Sequence, residues 1–363
     1  MKAVILVGGQ ATRLLPLTYN TPKAMVPVLN TPFLEHVIHH LASHQIKDIV
    51  LALGRLAHSI ESHLGDGSRF GVSIRYALEK DPLGTAGAVK NAASYVDDTF
   101  LVLNGDIFTD LDLSAMIDFH RDRKAKATIA LTPVEDPSAY GLIETDARDR
   151  VLNFLEKPDK DEITTNMINA GTYVLEPDVL TQIPAGVKCS FEREVFPKLL
   201  ADGELVCAYT SRAYWIDIGT PPMYLQLHSD LLNGKCRQYD NTPRSEITTG
   251  VNSSIHPTAR IEGPTVIGAN CSIGPGVKIS GPVAIGDGCT IQEESVIKKS
   301  IIWRNARLEP HARVTMSIIA DNCCLRSGCL CEESVLGDNV TVAYDCHLPP
   351  GSSIEPGTTV EPA

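Results

Sequence analysis

The chain has 363 residues, 43% of them hydrophobic and 21% charged, and a formal net charge of −12 at pH 7. This length is enough for two packed domains. The acidic balance argues against broad binding to nucleic acids or anionic membranes, which require an excess of Lys and Arg. No apolar run approaches the roughly 20 residues of a membrane span, and no leader-type cleavage pattern follows Met1-Lys2. We therefore expect a cytoplasmic protein whose ten cysteines are reduced thiols.

Up to about residue 235, short apolar runs alternate with longer amphipathic stretches. Strands are predicted at residues 3–7, 48–53, 73–78, 100–106 and 127–134, and helices at 33–44 and 221–234. Near-continuous apolar strands separated by helices predict an α/β fold, a Rossmann-like, mostly parallel sheet with helices on both faces. In such sheets, ligands bind beyond the carboxyl ends of the strands.

A different period begins at Ile255. Isoleucine recurs at every sixth position as far as Ile297, and apolar anchors continue to Val360 with occasional steps of five. Tripeptides of the type SII or SVL begin at Ser300, Ser317 and Ser334, at equal intervals. This pattern predicts a left-handed parallel β-helix whose three-sided coils stack their anchors inward. The predicted organisation is a first domain at 1–235, a connector at 236–250 and a β-helix at 251–363.

Cysteines in the second half follow the same period. They lie at the fourth position after apolar anchors, at Cys271, Cys289, Cys323, Cys329 and Cys346. A small buried hydrophobe suits that position. We therefore favour packing over zinc binding for these thiols.

The stretch GGQATRLLPLTYNTPKAMVPV at residues 8–28 follows the first predicted strand. Gly8 and Gly9 let backbone N–H groups approach phosphate oxygens closely. Arg13 and Lys23 are cations in a proline-stiffened, charge-poor segment, and both types of side chain bind phosphate. The spacing matches neither the dinucleotide-binding nor the Walker pattern. The residues alone indicate an anion site, with a solvated surface turn as the alternative.

Two aspartates stand out in strand-like surroundings. Asp106 follows a predicted buried strand in LNGD, where a carboxylate is either a Mg²⁺ ligand or a helix cap. Asp217, in WIDIG, lies between apolar neighbours, where an unpaired charge would be costly. Because proteins commonly hold Mg²⁺ with one or two carboxylates plus substrate phosphates, the pair predicts a magnesium site.

The stretch at residues 8–28 resembles the pattern GGxGTRLxPLTxxxPKxxxP of the sugar-nucleotide pyrophosphorylases, which join a sugar 1-phosphate to a nucleoside triphosphate. Seven further motifs follow in family order, and the resemblance extends to Pro221. They are PLGTAGA (82–88), LNGDIFTDLD (103–112), YGLIE (140–144), FLEKP (154–158), INAGTYVL (168–175), FEREVFP (191–197) and YWIDIGTP (214–221). Ala11 departs from the pattern, because the family usually has a third glycine there and alanine disfavours positive φ.

The resemblance implies a set of site residues. The nucleotide-binding candidates are Gly8, Gly9, Thr12, Arg13, Lys23, Pro82, Leu83, Gly84 and Gly87. The sugar-phosphate-binding candidates are Gly141, Glu156, Lys157 and Asn169. The catalytic candidates are Arg13, Lys23, Asp106 and Asp217, of which the two aspartates would bind Mg²⁺. The expected reaction is in-line attack of an ionised sugar-phosphate oxygen on the α-phosphorus, with pyrophosphate leaving.

Several alternatives stay open at this stage. The motifs are most similar to family members that use GTP and mannose 1-phosphate to make GDP-mannose, while glucose-1-phosphate uridylyl-, thymidylyl- and adenylyltransferases share much of the pattern. The β-helix could carry a second, acetyl-transferring site at His311 or His347, or the chain could be a non-catalytic regulatory subunit that binds sugar nucleotide. We expect a homo-oligomer that associates through the β-helix, since its end coils are open. His36, His40 and His44 are predicted to form a solvated helix face rather than a metal site.

Overall fold

The computed structural model describes residues 1–9, 11–54, 57–236 and 247–362. The chain forms two compact units. The sheet unit comprises residues 1–10 and 36–215, and the β-helix unit comprises residues 11–35 and 216–363. Most of the predicted connector, residues 237–246, lies outside the described residues. The domain boundaries at 235 and 251 stay predictions.

Outside the coils, the structure has short strands and helices whose bounds follow the apolar runs. The strands are β1 (Lys2–Leu6), β2 (Pro27–Val28), β3 (Thr31–Pro32), β4 (Asp48–Leu53), β5 (Ser73–Leu78), β6 (Phe100–Asn104), β7 (Ile107–Thr109), β8 (Ala127–Pro133), β9 (Gly141–Thr145), β10 (Val151–Glu156), β11 (Met167–Leu175), β12 (Val206–Thr210) and β13 (Trp215–Asp217). The helices are α1 (Phe33–Ser43), α2 (Ala57–Leu64), α3 (Gly84–Asn91), α4 (Leu113–Arg123), α5 (Phe196–Ala201) and α6 (Pro221–Leu232). A π-helical turn at Phe191–Val195 precedes α5.

One half of the main sheet is parallel. Its strands run in the order β6-β1-β4-β5, and Leu6 pairs with Asn104 on one side and with Ala52 on the other. The central strand is an apolar run with its interior fully buried, as expected when both faces of a parallel sheet are covered. Helix α3 packs on β1 and β4, and α4 packs on β8, β11 and β12. The predicted Rossmann-like fold is confirmed.

The other half of the sheet is mostly antiparallel. β11 runs antiparallel to β6, to β8 and to β9, and β9 forms a hairpin with β10. β12 pairs with β8 in parallel. The sequence did not predict β9 to β11, because charged residues interrupt the hydrophobic patterns of β9 and β10, and Asn169 and Gly171 interrupt that of β11.

Three parallel sheets, here called faces A, B and C, form the coils, and the predicted β-helix is confirmed. Face A consists of Ile247–Thr249, Thr265–Ile267, Val283–Ile285, Ile301–Ile302, Ile318–Ile319, Val335–Leu336 and Ser353–Ile354. Face B consists of Ser254–Ile255, Ser272–Ile273, Thr290–Ile291, Arg307–Leu308, Cys324–Leu325, Thr341–Val342 and Thr359–Val360. Face C consists of Arg260–Glu262, Lys278–Ser280, Val296–Lys298, Arg313–Thr315, Leu330–Glu332 and His347–Leu348.

The coils have two lengths. Ile255 stacks on Ile273 in an early coil, whereas Leu308 stacks on Leu325 in a later coil that is shorter by a single residue. The anchors stack inward in a single apolar column that runs through the coils. Periodic burial of every sixth side chain therefore accounts for the sequence pattern.

Thiols and serines fill the small-residue positions of the coils. The ten cysteines all lie in the described part of the chain and form no disulfide, and the five predicted from the period are buried. The Cys289 Sγ lies 2.9 Å from the Trp303 carbonyl oxygen of the next coil. Serines link the shorter coils, because the Ser317 N–H donates to Ser300 Oγ at 3.1 Å and the Ser334 N–H donates to Ser317 Oγ at 3.0 Å.

The predicted solvated histidine face on α1 is wrong. His36 and His40 are buried, and His40 Nε2 lies 2.9 Å from the Leu111 carbonyl oxygen. Burial, with a smaller effect of His44, lowers the pKa of His40 to about 4, so its ring is neutral. His44 is half-buried, and its Nδ1 lies 2.9 Å from Ser114 Oγ. The histidine spacing matched a helix face, but that face packs against the segment before α4.

None of the helices within the described ranges is long and apolar enough to cross a membrane.

The hydrogen bonds that link Ser300, Ser317 and Ser334, here called the serine ladder, predict a larger stability loss for a substitution within them than for one at an exposed serine. Replacing Ser317 with Ala removes the acceptor of the buried Ser334 N–H, which should lower the free energy of unfolding by about 1–3 kcal/mol. Ser272→Ala is the matched control, since Ser272 is exposed on face B, and it should stay within about 0.5 kcal/mol of the unmodified chain. Urea titration measures both values. Equal stability of the two variants would contradict a role for the ladder.

Candidate active site

The carboxyl edge of the parallel strands brings two motifs of the sheet unit together. Gly8 lies just beyond β1, and Asp106 lies just beyond the neighbouring β6. The Gly105 N–H donates to the Leu6 carbonyl oxygen at 2.9 Å, and a Cβ at Gly105 would lie only 2.5 Å from that oxygen. Only glycine permits this approach, which sets the path of the chain into Asp106.

Gly8 lies beside a glutamate that the sequence did not single out. A Cβ at Gly8 would lie 3.4 Å from Glu79 Oε1, and the other oxygen of this carboxylate accepts the Leu83 N–H at 3.0 Å. Burial raises the pKa of Glu79. The carboxylate thereby links the two predicted nucleotide-binding segments, residues 8–9 and 82–87. Gly9 and Pro82 at these segments are exposed.

The glycines of PLGTAGA have a packing role within the chain. Gly84 begins α3 with φ of +73°, and a Cβ there would lie 2.6 Å from the Cys189 carbonyl oxygen. A Cβ at Gly87 would lie 2.8 Å from the Val187 carbonyl oxygen. The Ala86 and Gly87 N–H groups both donate to the Cys189 carbonyl oxygen, at 3.0 and 3.1 Å. The start of α3 is therefore closely packed on residues 187–189.

The β9–β10 hairpin brings three of the sugar-phosphate candidates together. Gly141 pairs with Glu156, and a Cβ at Gly141 would lie 2.7 Å from Glu156 Oε2. The Lys157 N–H donates to the Tyr140 carbonyl oxygen at 3.2 Å. Lys157 has a φ of +53°, and its side chain is exposed. A carboxylate and an ammonium group thus stand at the same end of the hairpin.

A hydrogen-bonded network centred on Glu192 holds the fourth candidate, Asn169. The Asn169 amide donates to the Tyr173 hydroxyl at 2.8 Å, and the Tyr173 hydroxyl donates to Glu192 Oε1 at 3.0 Å. The Thr85 hydroxyl donates to Glu192 Oε2 at 2.7 Å. Since Tyr173 is fully buried, the network connects the start of α3 with β11 through the protein interior.

Glu192 also acts on Glu156 through its charge. Burial raises the pKa of Glu156, and the negative charge of Glu192 raises it further. Sequence reasoning missed Thr85, Tyr173 and Glu192, although all three lie in the motifs that carry the family resemblance. The available signal was a glutamate among the aromatic residues of FEREVFP, where a charge needs partners.

In the β-helix unit, the structure brings together Arg13, Lys23 and Asp217. Lys23 Nζ lies 3.3 Å from Asp217 Oδ1, and Arg13 Nη2 lies 3.6 Å from Asp217 Oδ2. The side chains of Lys23 and Asp217 are 13% and 14% exposed, whereas that of Arg13 is 66% exposed. Two cations therefore compensate one nearly buried carboxylate, and the guanidinium keeps most of its surface accessible to an anion.

Backbone geometry around this cluster depends on small residues. A Cβ at Gly219 would lie 2.8 Å from Arg13 Nη2 and 3.0 Å from Asp217 Oδ1. Ala11, which replaces the family glycine, has φ of +50° in the left-handed region, a conformation that costs an alanine about 1–2 kcal/mol. The Thr18 hydroxyl donates to the Ala11 carbonyl oxygen at 2.9 Å and supports this turn. Thr12 follows it as the exposed first residue of a 3₁₀ turn.

Both halves of the chain match known families. Residues 2–234 match the family model described as Nucleotidyl transferase, and residues 261–361 match the one described as GMPPB C-terminal domain. The chain belongs to the nucleotidyl transferase family. It is therefore a nucleotidyltransferase enzyme, and the predicted family resemblance is confirmed.

Curated relatives of this nucleotidyltransferase include two mannose-1-phosphate guanylyltransferases and a uridylyltransferase. The "Mannose-1-phosphate guanylyltransferase" of Mycobacterium tuberculosis is 44% identical over 64% of this chain and 65% of that relative. The "Mannose-1-phosphate guanyltransferase" of Yarrowia lipolytica is 38% identical over 99% of this chain and 97% of that relative. The "UTP--glucose-1-phosphate uridylyltransferase" of Synechocystis sp. is 37% identical over 90% of this chain and 88% of that relative.

Among solved structures, HddC from Yersinia pseudotuberculosis complexed with GMP-PN has a TM-score of 0.55 and 32% sequence identity to this nucleotidyltransferase. The likeness covers 62% of this chain and 97% of that structure.

The close packing at the start of α3 predicts unequal costs for two glycine substitutions in the nucleotidyltransferase. Gly84→Ala adds a methyl group against the Cys189 backbone, whereas Gly186→Ala has a similar positive φ and nothing within 4 Å of the new Cβ. Gly84→Ala should therefore lose about 1–3 kcal/mol more unfolding free energy than Gly186→Ala. Urea titration of both variants measures the difference. Equal losses would show that positive φ alone, and not packing, requires glycine at position 84.

Proposed function

We propose that the chain transfers a guanylyl group from GTP to mannose 1-phosphate, giving GDP-mannose and pyrophosphate. The observation that carries this proposal is similarity to the Yarrowia lipolytica mannose-1-phosphate guanyltransferase over 99% of the chain. The match of residues 261–361 to the GMPPB C-terminal domain supports it, as does the solved relative complexed with GMP-PN.

Arg13 and Lys23 would bind the triphosphate and stabilise the charge of the leaving pyrophosphate. The Lys23 ammonium is nearly buried and held by Asp217, so it is fixed before substrate binds. The exposed Arg13 guanidinium has donors free for bidentate contact with phosphate oxygens. Cations that are held in place before the reaction can stabilise the charge that develops in the transition state without first having to move.

Glu156, Lys157 and Asn169 would hold the sugar phosphate. The Glu156 carboxylate would accept hydrogen bonds from sugar hydroxyls, and the Lys157 ammonium would hold the phosphate. Asn169 is oriented at both ends, because its Oδ1 accepts the Gly171 N–H at 3.0 Å and its Nδ2 donates to Tyr173. The second amide proton and the second lone pair remain for a hydroxyl group.

Asp106 and Asp217 would hold Mg²⁺. Their carboxylate oxygens are the ligands that Mg²⁺ prefers, and the described residues contain no cluster of three or more His, Cys, Asp or Glu side chains suited to a metal. The remaining ligands would therefore be phosphate oxygens and water. When bound, the ion would supply neutralisation of charge on the α-phosphate.

The uridylyltransferase relative favours a second candidate, UTP with glucose 1-phosphate. A panel of GTP, UTP, dTTP and ATP against mannose, glucose and N-acetylglucosamine 1-phosphates, with pyrophosphate release as readout, separates the two.

The homo-oligomer, the cytoplasmic location and acetyl transfer at the exposed His311 or His347 stay predictions.

Removing the fixed ammonium should reduce turnover strongly. We expect Lys23→Ala to lower kcat/KM for pyrophosphate release from GTP and mannose 1-phosphate by about two to three orders of magnitude. Lys47→Ala is the control, since Lys47 is exposed next to the amino end of β4. Full activity of Lys23→Ala would contradict the assignment of Lys23 to the triphosphate.

The charge of Glu192 should raise the pH below which activity falls, in addition to the effect of burial on Glu156. Glu156 is proposed to act ionised, so activity falls as the pH drops through its raised pKa. Glu192→Gln removes one cause of the raised pKa, and the acid limb of kcat/KM for mannose 1-phosphate should move to lower pH. Glu194→Gln changes an exposed residue in the same π-helical turn and should leave the limb in place. An acid limb that stays in place in Glu192→Gln would contradict the coupling between the two carboxylates.

A further inference from the structure

Face A differs from the other two faces of the β-helix in its outward side chains. Between the inward anchors, face A presents the apolar residues Ala284, Ile301 and Ile318, and these are 1%, 3% and 0% exposed. At equivalent places on face B, Ser272 and Arg307 are exposed. An outward apolar row that is fully buried must be covered by other parts of the chain.

The segment 11–35 and helix α6 lie on face A. Helix α6 packs on the strand Val283–Ile285, and the Asn30 amide donates to the Ile285 carbonyl oxygen at 2.7 Å. Farther along, the Asn20 amide donates to Asp338 Oδ2 at 3.1 Å and the Tyr19 hydroxyl donates to Glu355 Oε1 at 3.2 Å. The segment that carries Arg13 and Lys23 therefore contacts coils from Ile285 to Glu355.

A buried chain of hydrogen bonds joins the coils to this segment. The Trp303 indole N–H donates to the Tyr224 hydroxyl at 3.2 Å, and the Trp303 residue is 2% exposed. The fully buried Tyr224 hydroxyl donates to the Pro27 carbonyl oxygen, and His228 Nε2 lies 3.1 Å from the same oxygen. Burial raises the pKa of Tyr224, so the phenol stays protonated and can donate. We call these contacts the Trp303–Tyr224–Pro27 relay.

The relay connects the two members of the Lys23–Asp217 ion pair. Pro27 lies shortly after Lys23, which opens a 3₁₀ turn at Lys23–Met25. Tyr224 lies in the first two turns of α6, and α6 begins shortly after Asp217. Holding the Pro27 carbonyl on α6 therefore fixes the backbone that carries the ammonium relative to the backbone that carries the carboxylate.

We propose that the β-helix is part of the nucleotide-binding machinery: face A and the Trp303–Tyr224–Pro27 relay position Lys23 for contact with the triphosphate. Trp303 and Tyr224 are positioning residues that act through Pro27. The proposal rests on the proposed function, since Lys23 must bind nucleotide phosphate. The coils thereby act on the chemistry without contributing a group that touches the substrate.

The test replaces the relay hydroxyl and the indole N–H in the full chain. Tyr224→Phe and Trp303→Phe should each raise the KM for nucleoside triphosphate about five- to tenfold, while the KM for sugar 1-phosphate stays within about twofold. Tyr344→Phe is the matched control, because Tyr344 is an exposed tyrosine of the same β-helix. It should change neither KM.

A double-mutant cycle separates positioning from general stability. In a Lys23→Ala background, Tyr224→Phe should leave the KM for nucleoside triphosphate unchanged, because the group that the relay positions is gone, yet it should still lower the Tm. If Tyr224→Phe raised the KM for nucleoside triphosphate by the same factor in the Lys23→Ala background as in the unmodified chain, the proposal would be overturned. A Tyr224→Phe variant whose KM for nucleoside triphosphate equals that of the unmodified chain would also overturn it.

A second contact keeps the test decisive if Tyr224→Phe does not fold. Asn30→Asp removes the donor to Ile285 while keeping a side chain that tolerates φ of +69°, and it should raise the same KM selectively. An unchanged KM would overturn the proposal. The unmodified chain reports on the proposed function separately: lack of turnover with GTP and mannose 1-phosphate would contradict that specificity, whereas the relay is measured with whichever nucleotide of the panel is used.

Discussion

The ion pair between a nearly buried aspartate and two cations is the constraint on which the β-helix unit depends. Asp217 lies between the buried residues Ile216 and Ile218, so its charge must be compensated locally. The compensation comes from Lys23 and Arg13, in the opening segment of the chain. Burial of this carboxylate thus requires the early segment, and residues 11–35 belong to the same compact unit as residues 216–363.

A second carboxylate organises the sheet unit by different chemistry. Glu192 accepts hydrogen bonds from the hydroxyl groups of Thr85 and Tyr173, whereas Asp217 is balanced by an ammonium and a guanidinium. Cations suit the charged phosphates of a nucleotide, and the Asn169 amide, held by the Tyr173 hydroxyl and the Gly171 N–H, suits the uncharged hydroxyls of a sugar. Under the proposed function, the arrangement around Asp217 would bind the nucleotide phosphates and the arrangement around Glu192 would bind the sugar.

The sequence was informative wherever structure follows from local periodicity. The step of six predicted the β-helix because each coil buries one side chain per face, and the apolar runs at β4 and β5 matched their strands at both ends. It was misleading on α1, where helical spacing showed that His36 and His40 share a face but not which element covers it. Glu192 and the Trp303–Tyr224–Pro27 relay were not predictable, since their partners are distant in sequence and only the folded chain brings them together.

Coil number in this β-helix has an evolutionary consequence. Solenoids usually gain or lose whole repeats at little cost, because each repeat contacts only its neighbours. Here Asn30, Asn20 and Tyr19, all in one segment, contact coils at Ile285, Asp338 and Glu355. Duplication or deletion of a coil between Ile285 and Glu355 would move the later contact residues of the coils away from their partners in this segment. Lineages with this arrangement should therefore vary in coil number only outside that range.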